Sequence, residues 1–255
     1  MVRYESGGGR CTITIDDPDR HNPMSAEVMV DLVGAVRRAA DDGDVRVIVI
    51  TGAGDKSFSA GGDLAGGFVD TPLTGHEGRG ALVALFRSLR RCGKPTIARV
   101  NGHALGGGFG LAAACDITIA SERATFGTPE VNIGLWPMMI SAVLKPLVPR
   151  KALLDMMMTG RRFSADEALQ MGIATRVVPH EELDHEVDKT VDALLAVSPS
   201  VLALGKDSFY AFADVGFDAA LDSLHIGLTA LATTDDAQEG VRAFVEKRSP
   251  EWRGT

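Results

Sequence analysis

Asn101-Gly102-His103-Ala104-Leu105-Gly106-Gly107-Gly108-Phe109-Gly110 is the stretch on which the reading of this chain turns. It follows an extended run, Thr96 to Asn101, and leads into an apolar, alanine-rich segment, Leu111 to Ala114, that reads as helix. A second glycine turn, Ser59-Ala60-Gly61-Gly62-Asp63-Leu64, also follows a β-type apolar run. Glycine lets backbone N–H groups come close to a ligand and turn toward it. Taken singly, such clusters mark tight turns. Here each follows a strand, and the Asn101–Gly110 turn opens a helix, whose N-terminal partial positive charge favours an anion. Two N–H groups converging on one point make an oxyanion hole, which stabilises negative charge developing on a carbonyl oxygen. The pair of turns therefore points to carbonyl activation.

The same alternation extends outward in both directions. Arg10 to Ile15 alternates polar and apolar residues, as a half-buried strand does, and Gly7-Gly8-Gly9 predicts a hairpin with Val2 to Glu5. Ala26 to Asp41 reads as a helix with Val28, Leu32, Val36 and Ala39 on one stripe and Ser25 as N-cap. Val45 to Ile50 is β-branched almost throughout, Ala81 to Arg91 is helical, and Asp116 to Ala120 is extended. Strands alternating with helices imply an α/β architecture. After Ser198 the strand signals stop, and Val201 to Val215, Phe217 to Ala232 and Asp235 to Lys247 read as helices. This divides the chain into an α/β core over 1–198 and a helical cap or assembly region over 199–255, with the boundary near Pro199.

Composition bounds the partners. The 255 residues are 45% apolar and 24% charged, enough to bury a sizeable core. A net charge of -8 leaves no basic surplus to neutralise phosphates, which argues against nucleic acid. Three cysteines without CxxC spacing, Cys11, Cys92 and Cys115, fit reduced thiols in a cytoplasmic protein rather than a disulfide framework or metal site. The first residues lack the apolar core of a signal peptide. The apolar stretch from Gly134 to Val148 is interrupted by Pro137, Lys145 and Pro146, so no membrane span is expected.

Several motifs are excluded. Val47 to Gly54 resembles the start of a dinucleotide site, but Ser57 stands where the third glycine belongs and no helix follows. The chain has neither a Walker A loop nor a GxSxG elbow. Glu130, in Phe126-Gly127-Thr128-Pro129-Glu130-Val131, is the candidate acid/base. The following Val131 to Pro137 reads as too apolar for a surface loop, so Glu130 is expected to be partly desolvated, which raises a carboxyl pKa toward neutrality. His103 reads as structural. Asp63 and Asp116 read as turn-stabilising carboxylates that bond backbone.

These residues together resemble the enoyl-CoA hydratase/isomerase family, the crotonase superfamily, over essentially the whole chain. The resemblance rests on Phe58 to Leu64, on Ala104 to Gly108 leading to Ala114-Cys115-Asp116, and on Phe126 to Glu130. It continues through Leu153 to Ala168 and Gly172 to Pro179. It implies a spiral of ββα units and a helical C-terminal region that packs in trimers, often paired into hexamers. It implies an acyl-CoA thioester substrate and no tightly bound cofactor or metal. By matching position, the Gly62 and Gly107 N–H groups hold the thioester oxygen. The nucleotide part of coenzyme A lies near Arg20, Met24, Ala60, Asp63 and Leu64, with Arg20 as a phosphate contact. Trp136, Met138 and Met139 line the acyl pocket, or else simply pack in the core.

One departure stands out. Hydratases of the family carry a second glutamate where this chain has Gly110. Hydration of a 2-enoyl-CoA is the family's nominal activity, and addition of water is easiest with two carboxylates. One suffices to move a proton between C2 and C4, so isomerisation of a 3-enoyl-CoA is the close rival. A catalytically impaired acyl-CoA-binding homologue is the alternative from another class.

Overall fold

The computed structural model describes residues 1–63 and 72–255. The Gly7-Gly8-Gly9 turn forms the expected hairpin, pairing β1 (Val2–Gly7) antiparallel with β2 (Arg10–Ile15). The helix expected over 26–41 is α1 (Ala26–Asp41), capped by the Ser25 hydroxyl, which accepts from Val28 N at 3.2 Å. Its stripe of Val28, Leu32, Val36 and Ala39 is buried.

The chain then continues through β3 (Val47–Gly52), β4 (Ser57–Ser59), α2 (Pro72–Arg91), β5 (Thr96–Val100), β6 (His103–Leu105) and α3 (Gly107–Ala114). Next come β7 (Ile117–Ser121), β8 (Thr125–Gly127), α4 (Met138–Leu144), α5 (Arg150–Thr159), β9 (Arg162–Ser164), α6 (Ala165–Gln170), β10 (Arg176–Val178) and α7 (Leu183–Leu195). Three helices close the chain: α8 (Pro199–Phe212), α9 (Phe217–Ala232) and α10 (Asp235–Glu246). Two strands followed by a helix recur four times, from β1-β2-α1 to β7-β8-α4, and the first strand of each later pair joins one sheet while the second joins another. The sheets run β1-β2-β3-β5-β7-β10 and β4-β6-β8-β9. This is the ββα spiral with a helical C-terminal region.

A strand in the middle of the larger sheet must be apolar on both faces, because both are covered. In β3, Ile48 and Ile50 enter the main core with Leu32 and Val36 of α1. Val47 and Val49 point the other way and meet Leu183, Val187 and Val191 of α7. Each such aliphatic side chain contributes about 1.5–3 kcal/mol by leaving water. Among the described residues, no helix is long and apolar enough to cross a membrane. Cys11, Cys92 and Cys115 are free thiols.

Several boundaries differ from the sequence reading, among them that of α8, which runs from Pro199 to Phe212 against the expected Val201 to Val215. The strand expected from Val45 starts at Val47, because Val45 N closes a turn onto Asp42 O. Helix α2 starts nine residues before Ala81, at Pro72. Helix α3 starts at Gly107, inside the glycine run rather than at Leu111. The terminal helices are tied to the core through Asp116. Its carboxylate accepts from Thr96 N and Oγ1, each at 2.7 Å, from Lys206 Nζ at 2.7 Å and from Tyr210 OH at 2.9 Å. Asp116 thus bonds backbone as expected, but it also anchors α8 to the sheet.

Candidate active site

Strands β4 and β6 pair in parallel, so the turns that follow them leave the same edge of the smaller sheet side by side. Their closeness depends on missing side chains. Gly61 has φ +91°, and a β-carbon there would lie 2.7 Å from Leu105 O and 3.2 Å from Gly107 N. Gly106 has φ +51°, and a β-carbon there would lie 3.0 Å from Glu130 Oε1. Only glycine satisfies both demands at once.

The first turn is fixed from the other side by residues 21–24. Ala60 N donates to His21 O at 2.9 Å, Met24 N to Gly61 O at 2.8 Å, and Asp63 N to Met24 O at 3.2 Å. This pairing uses the groups on either side of Gly62 and leaves the Gly62 N–H out of the ladder. Gly107 is the first residue of α3, and the first N–H groups of a helix have no intrahelical acceptor. Gly62 and Gly107 therefore carry the two amides that the sequence singled out, on abutting turns.

Glu130 sits in the short 3-10 segment Pro129–Ile133, with its carboxyl against the Gly106 turn. Its Oε2 is buried with no hydrogen-bond partner among the described residues. Burial pushes its pKa above the usual carboxylate range, opposed by a hydrogen bond from its own backbone. A half-buried carboxyl with a raised pKa, facing glycine backbone, has the properties of an acid/base at neutral pH.

The structure corrects the environment expected for Glu130. Ile133 is 53% exposed and Trp136 36% exposed, so the run after Glu130 is a surface segment despite its apolar sequence. The left-handed Gly134, φ +78°, turns the chain at the end of the 3-10 segment, and a β-carbon there would meet open space among the described residues. The Glu130 carboxyl instead lies against the Gly106 turn. Of the three acyl-pocket candidates, Met139 is half-buried and packs against the core, while Trp136 and Met138 are exposed, Met138 at 71%.

The other expected site residues are placed unevenly. Met24 is buried, and its Cε lies 2.8 Å from where a β-carbon on Gly107 would stand. Its side chain thus packs under the turns, and its backbone holds Gly61 and Asp63. Ala60 is exposed beside them. Leu64 lies outside the described residues. Asp63, expected to bond backbone, pairs with Arg20 Nη2 at 2.8 Å. Arg20 approaches Asp17 at 3.6 Å as well, so any phosphate contact by this cation competes with two carboxylates of the chain itself. His103 is held at 2.7 Å from Thr125 Oγ1, and burial lowers its pKa, which keeps it neutral and structural at pH 7.

Sequence reasoning missed what fills the space beside Gly110. A β-carbon there would lie 2.8 Å from Phe86 Cζ and 3.1 Å from Ile140 Cγ1. The place from which a second carboxylate would project is occupied by α2 and α4. The one trace of this in the sequence is that Phe86 falls on the apolar face of α2.

The sequence profile of the family described as enoyl-CoA hydratase/isomerase matches residues 5–255. Carnitinyl-CoA dehydratase of Salmonella typhi is 36% identical over 250 residues, covering 95% of this chain and 94% of that protein. The mitochondrial enoyl-CoA hydratase domain-containing protein 3 of Rattus norvegicus is 35% identical over 247 residues, covering 94% and 80%. Among solved structures, an enoyl-CoA hydratase of Mycobacterium smegmatis superposes with a TM-score of 0.95 at 31% identity, covering 98% of each chain. Profile, relatives and fold agree, and the chain belongs to the enoyl-CoA hydratase/isomerase family of the crotonase superfamily.

Proposed function

We propose that this protein moves a proton on an enoyl-CoA thioester with Glu130 as its single side-chain acid/base, interconverting 3-enoyl- and 2-enoyl-CoA. The observation that carries this reading is the packing of Phe86 and Ile140 against Gly110, which leaves Glu130, among the described residues, as the carboxyl set against the Gly106 turn. The Gly62 and Gly107 N–H groups receive the thioester oxygen. The Glu130 carboxylate takes a proton from C2, and the electron pair of that C–H bond delocalises onto the oxygen as a dienolate. The same carboxyl then returns the proton to C4, and the double bond ends between C2 and C3. Raising the Glu130 pKa strengthens it as a base toward C2, and the two amides stabilise the charge only as it develops.

Hydration of a 2-enoyl-CoA is the second reading, supported by the relatives named as hydratase and dehydratase. Water adds its hydroxyl to C3 and a proton reaches C2, so a bound water or backbone group would have to supply the role of the missing carboxyl. Mass spectrometry of 2-enoyl- and 3-enoyl-CoA incubated with the protein in D₂O separates the readings. Double-bond migration without added mass of water supports isomerisation. A product heavier by one water overturns it in favour of hydration. Tight acyl-CoA binding with no turnover of either substrate overturns both in favour of an acyl-CoA-binding homologue.

The proposal includes self-association through 199–255. Phe209 (71%), Phe217 (79%), Ile226 (71%) and Phe244 (84%) are exposed on the three terminal helices. Apolar exposure on that scale marks an interface. Sedimentation at micromolar concentration would give a trimer or hexamer, and a monomer would remove the assembly role from these helices.

A further inference from the structure

We infer that Asn22 and Asn101 are a pair of positioning residues that set the spacing of the Gly62 and Gly107 amides through one shared acceptor, the Ser57 carbonyl. Both side chains are buried, at 0% and 1% exposure. Asn22 Nδ2 donates to Ser57 O at 2.8 Å and to Ala53 O at 3.0 Å. Asn101 Nδ2 donates to Ser57 O at 3.1 Å, to Gly52 O at 3.0 Å and to Gly54 O at 2.5 Å. Only the NH₂ end of a carboxamide can face a set of carbonyls, so the orientation of both side chains is fixed by the chemistry.

Asn101 stands shortly before its glycine turn, and Asn22 stands shortly before Met24, which pairs with the other. From Asn22 the chain reaches Met24, whose backbone brackets Gly62 through Gly61 O and Asp63 N. From Asn101 it reaches β6 and then Gly106 and Gly107. The shared carbonyl belongs to β4, the strand that ends at the first turn. The two turns thus share one backbone reference atom in addition to their direct contact.

The backbone at residue 22 supports the same reading. His21 and Asn22 are left-handed, at φ +62° and +55°. Asparagine tolerates that region better than most residues. Asn22 Oδ1 also accepts from Asp17 N at 3.0 Å, which holds the preceding turn closed. Such local strain persists only where the surroundings over-determine it.

The inference rests on the amide-pair reading of the proposed function, and its test separates the two. Asn22→Gly keeps the left-handed backbone and removes both donors, and Asn101→Ser keeps one donor at shorter reach. Crystal structures of the ligand-free variants give the separation of the Gly62 and Gly107 nitrogens. Infrared spectra of bound crotonyl-CoA give the polarisation of its thioester carbonyl.

The expected result is a changed amide separation, a carbonyl band returned toward its position in water, and kcat lowered about 10²-fold with KM nearly unchanged, as for loss of one oxyanion donor. Lowered thermal stability with unchanged amide separation, band and kcat would make both asparagines merely structural and overturn the inference. A changed separation in the variants, with no carbonyl shift or turnover in the parent protein, would leave the positioning role standing and remove the catalytic reading.

Discussion

Two corners of this molecule hold a carboxyl out of water, and they treat it in opposite ways. At the join between sheet and terminal helices, Asp116 accepts from Thr96, Lys206 and Tyr210. At the glycine turns, Glu130 keeps Oε2 buried and without a partner among the described residues. Buried polar groups are normally satisfied, and an exception needs a reason. At Asp116, pairing makes the join rigid. At Glu130, a substrate or water proton is the missing partner under the proposed function, so that lost stability would be exchanged for reactivity.

The largest effect expected from breaking this contrast is on turnover. Glu130→Gln keeps the shape and removes the base, so kcat falls about 10³-fold, within the usual range for a general acid/base. Acyl-CoA affinity, measured by calorimetry, stays close to that of the parent, because the two amides and the carbon skeleton of the site are untouched. A rate near that of the parent would remove Glu130 from the chemistry.

The opposite corner is broken by Lys206→Met. The pair is 2.7 Å apart, with the Lys206 side chain 8% exposed and that of Asp116 20% exposed. Removing the cation leaves Asp116 with its remaining donors and destabilises the protein by at most about 3 kcal/mol, the lower end for breaking a buried pair. Urea unfolding gives the loss, and kcat per folded molecule stays unchanged. A drop in kcat at full folding would mean that the join also shapes the site.

Gly110→Glu sharpens the contrast by adding a second carboxyl. The new side chain meets Phe86 and Ile140 inside van der Waals contact. Overpacking of this kind costs about 1–3 kcal/mol, and no gain in hydration accompanies it. Adding Phe86→Ala makes room. If the second carboxyl alone separates isomerase from hydratase, hydration of crotonyl-CoA then rises in the double variant.

The sequence made some of these features legible and hid others, for physical reasons. The stripe of α1 and its Ser25 cap repeat with the period of the helix they form, so local spacing carries the burial pattern. The glycine turns are legible because backbone approach demands glycine itself. The helix partners of Asp116, Lys206 and Tyr210, lie 90 and 94 residues away, and no local pattern encodes them. Phe86 and Ile140 look like ordinary core residues until the fold brings them to Gly110. The exposed run after Glu130 misled for the converse reason, since apolar residues bury only where something covers them. Asn22 and Asn101 sit in loops, where asparagine is common and its partners are carbonyls of a third segment.

The smallest effect is on stability, and its sign comes from Glu130. Burial raises the folded-state pKa of this carboxyl above its unfolded value. Such a group stabilises the fold when protonated, fully so below the unfolded value near 4.3. That contribution disappears as pH rises through the folded pKa. With rising pH the parent protein therefore meets the cost of charging a carboxyl in a place that disfavours charge, and Glu130→Gln does not. The variant is expected to unfold at higher urea than the parent at pH 8, with the difference shrinking as pH falls through the carboxylate range. Urea midpoints at pH 4 and pH 8 measure it. A variant less stable than the parent at pH 8 would mean that the Glu130 carboxylate is held by favourable contacts, and the contrast with Asp116 would collapse.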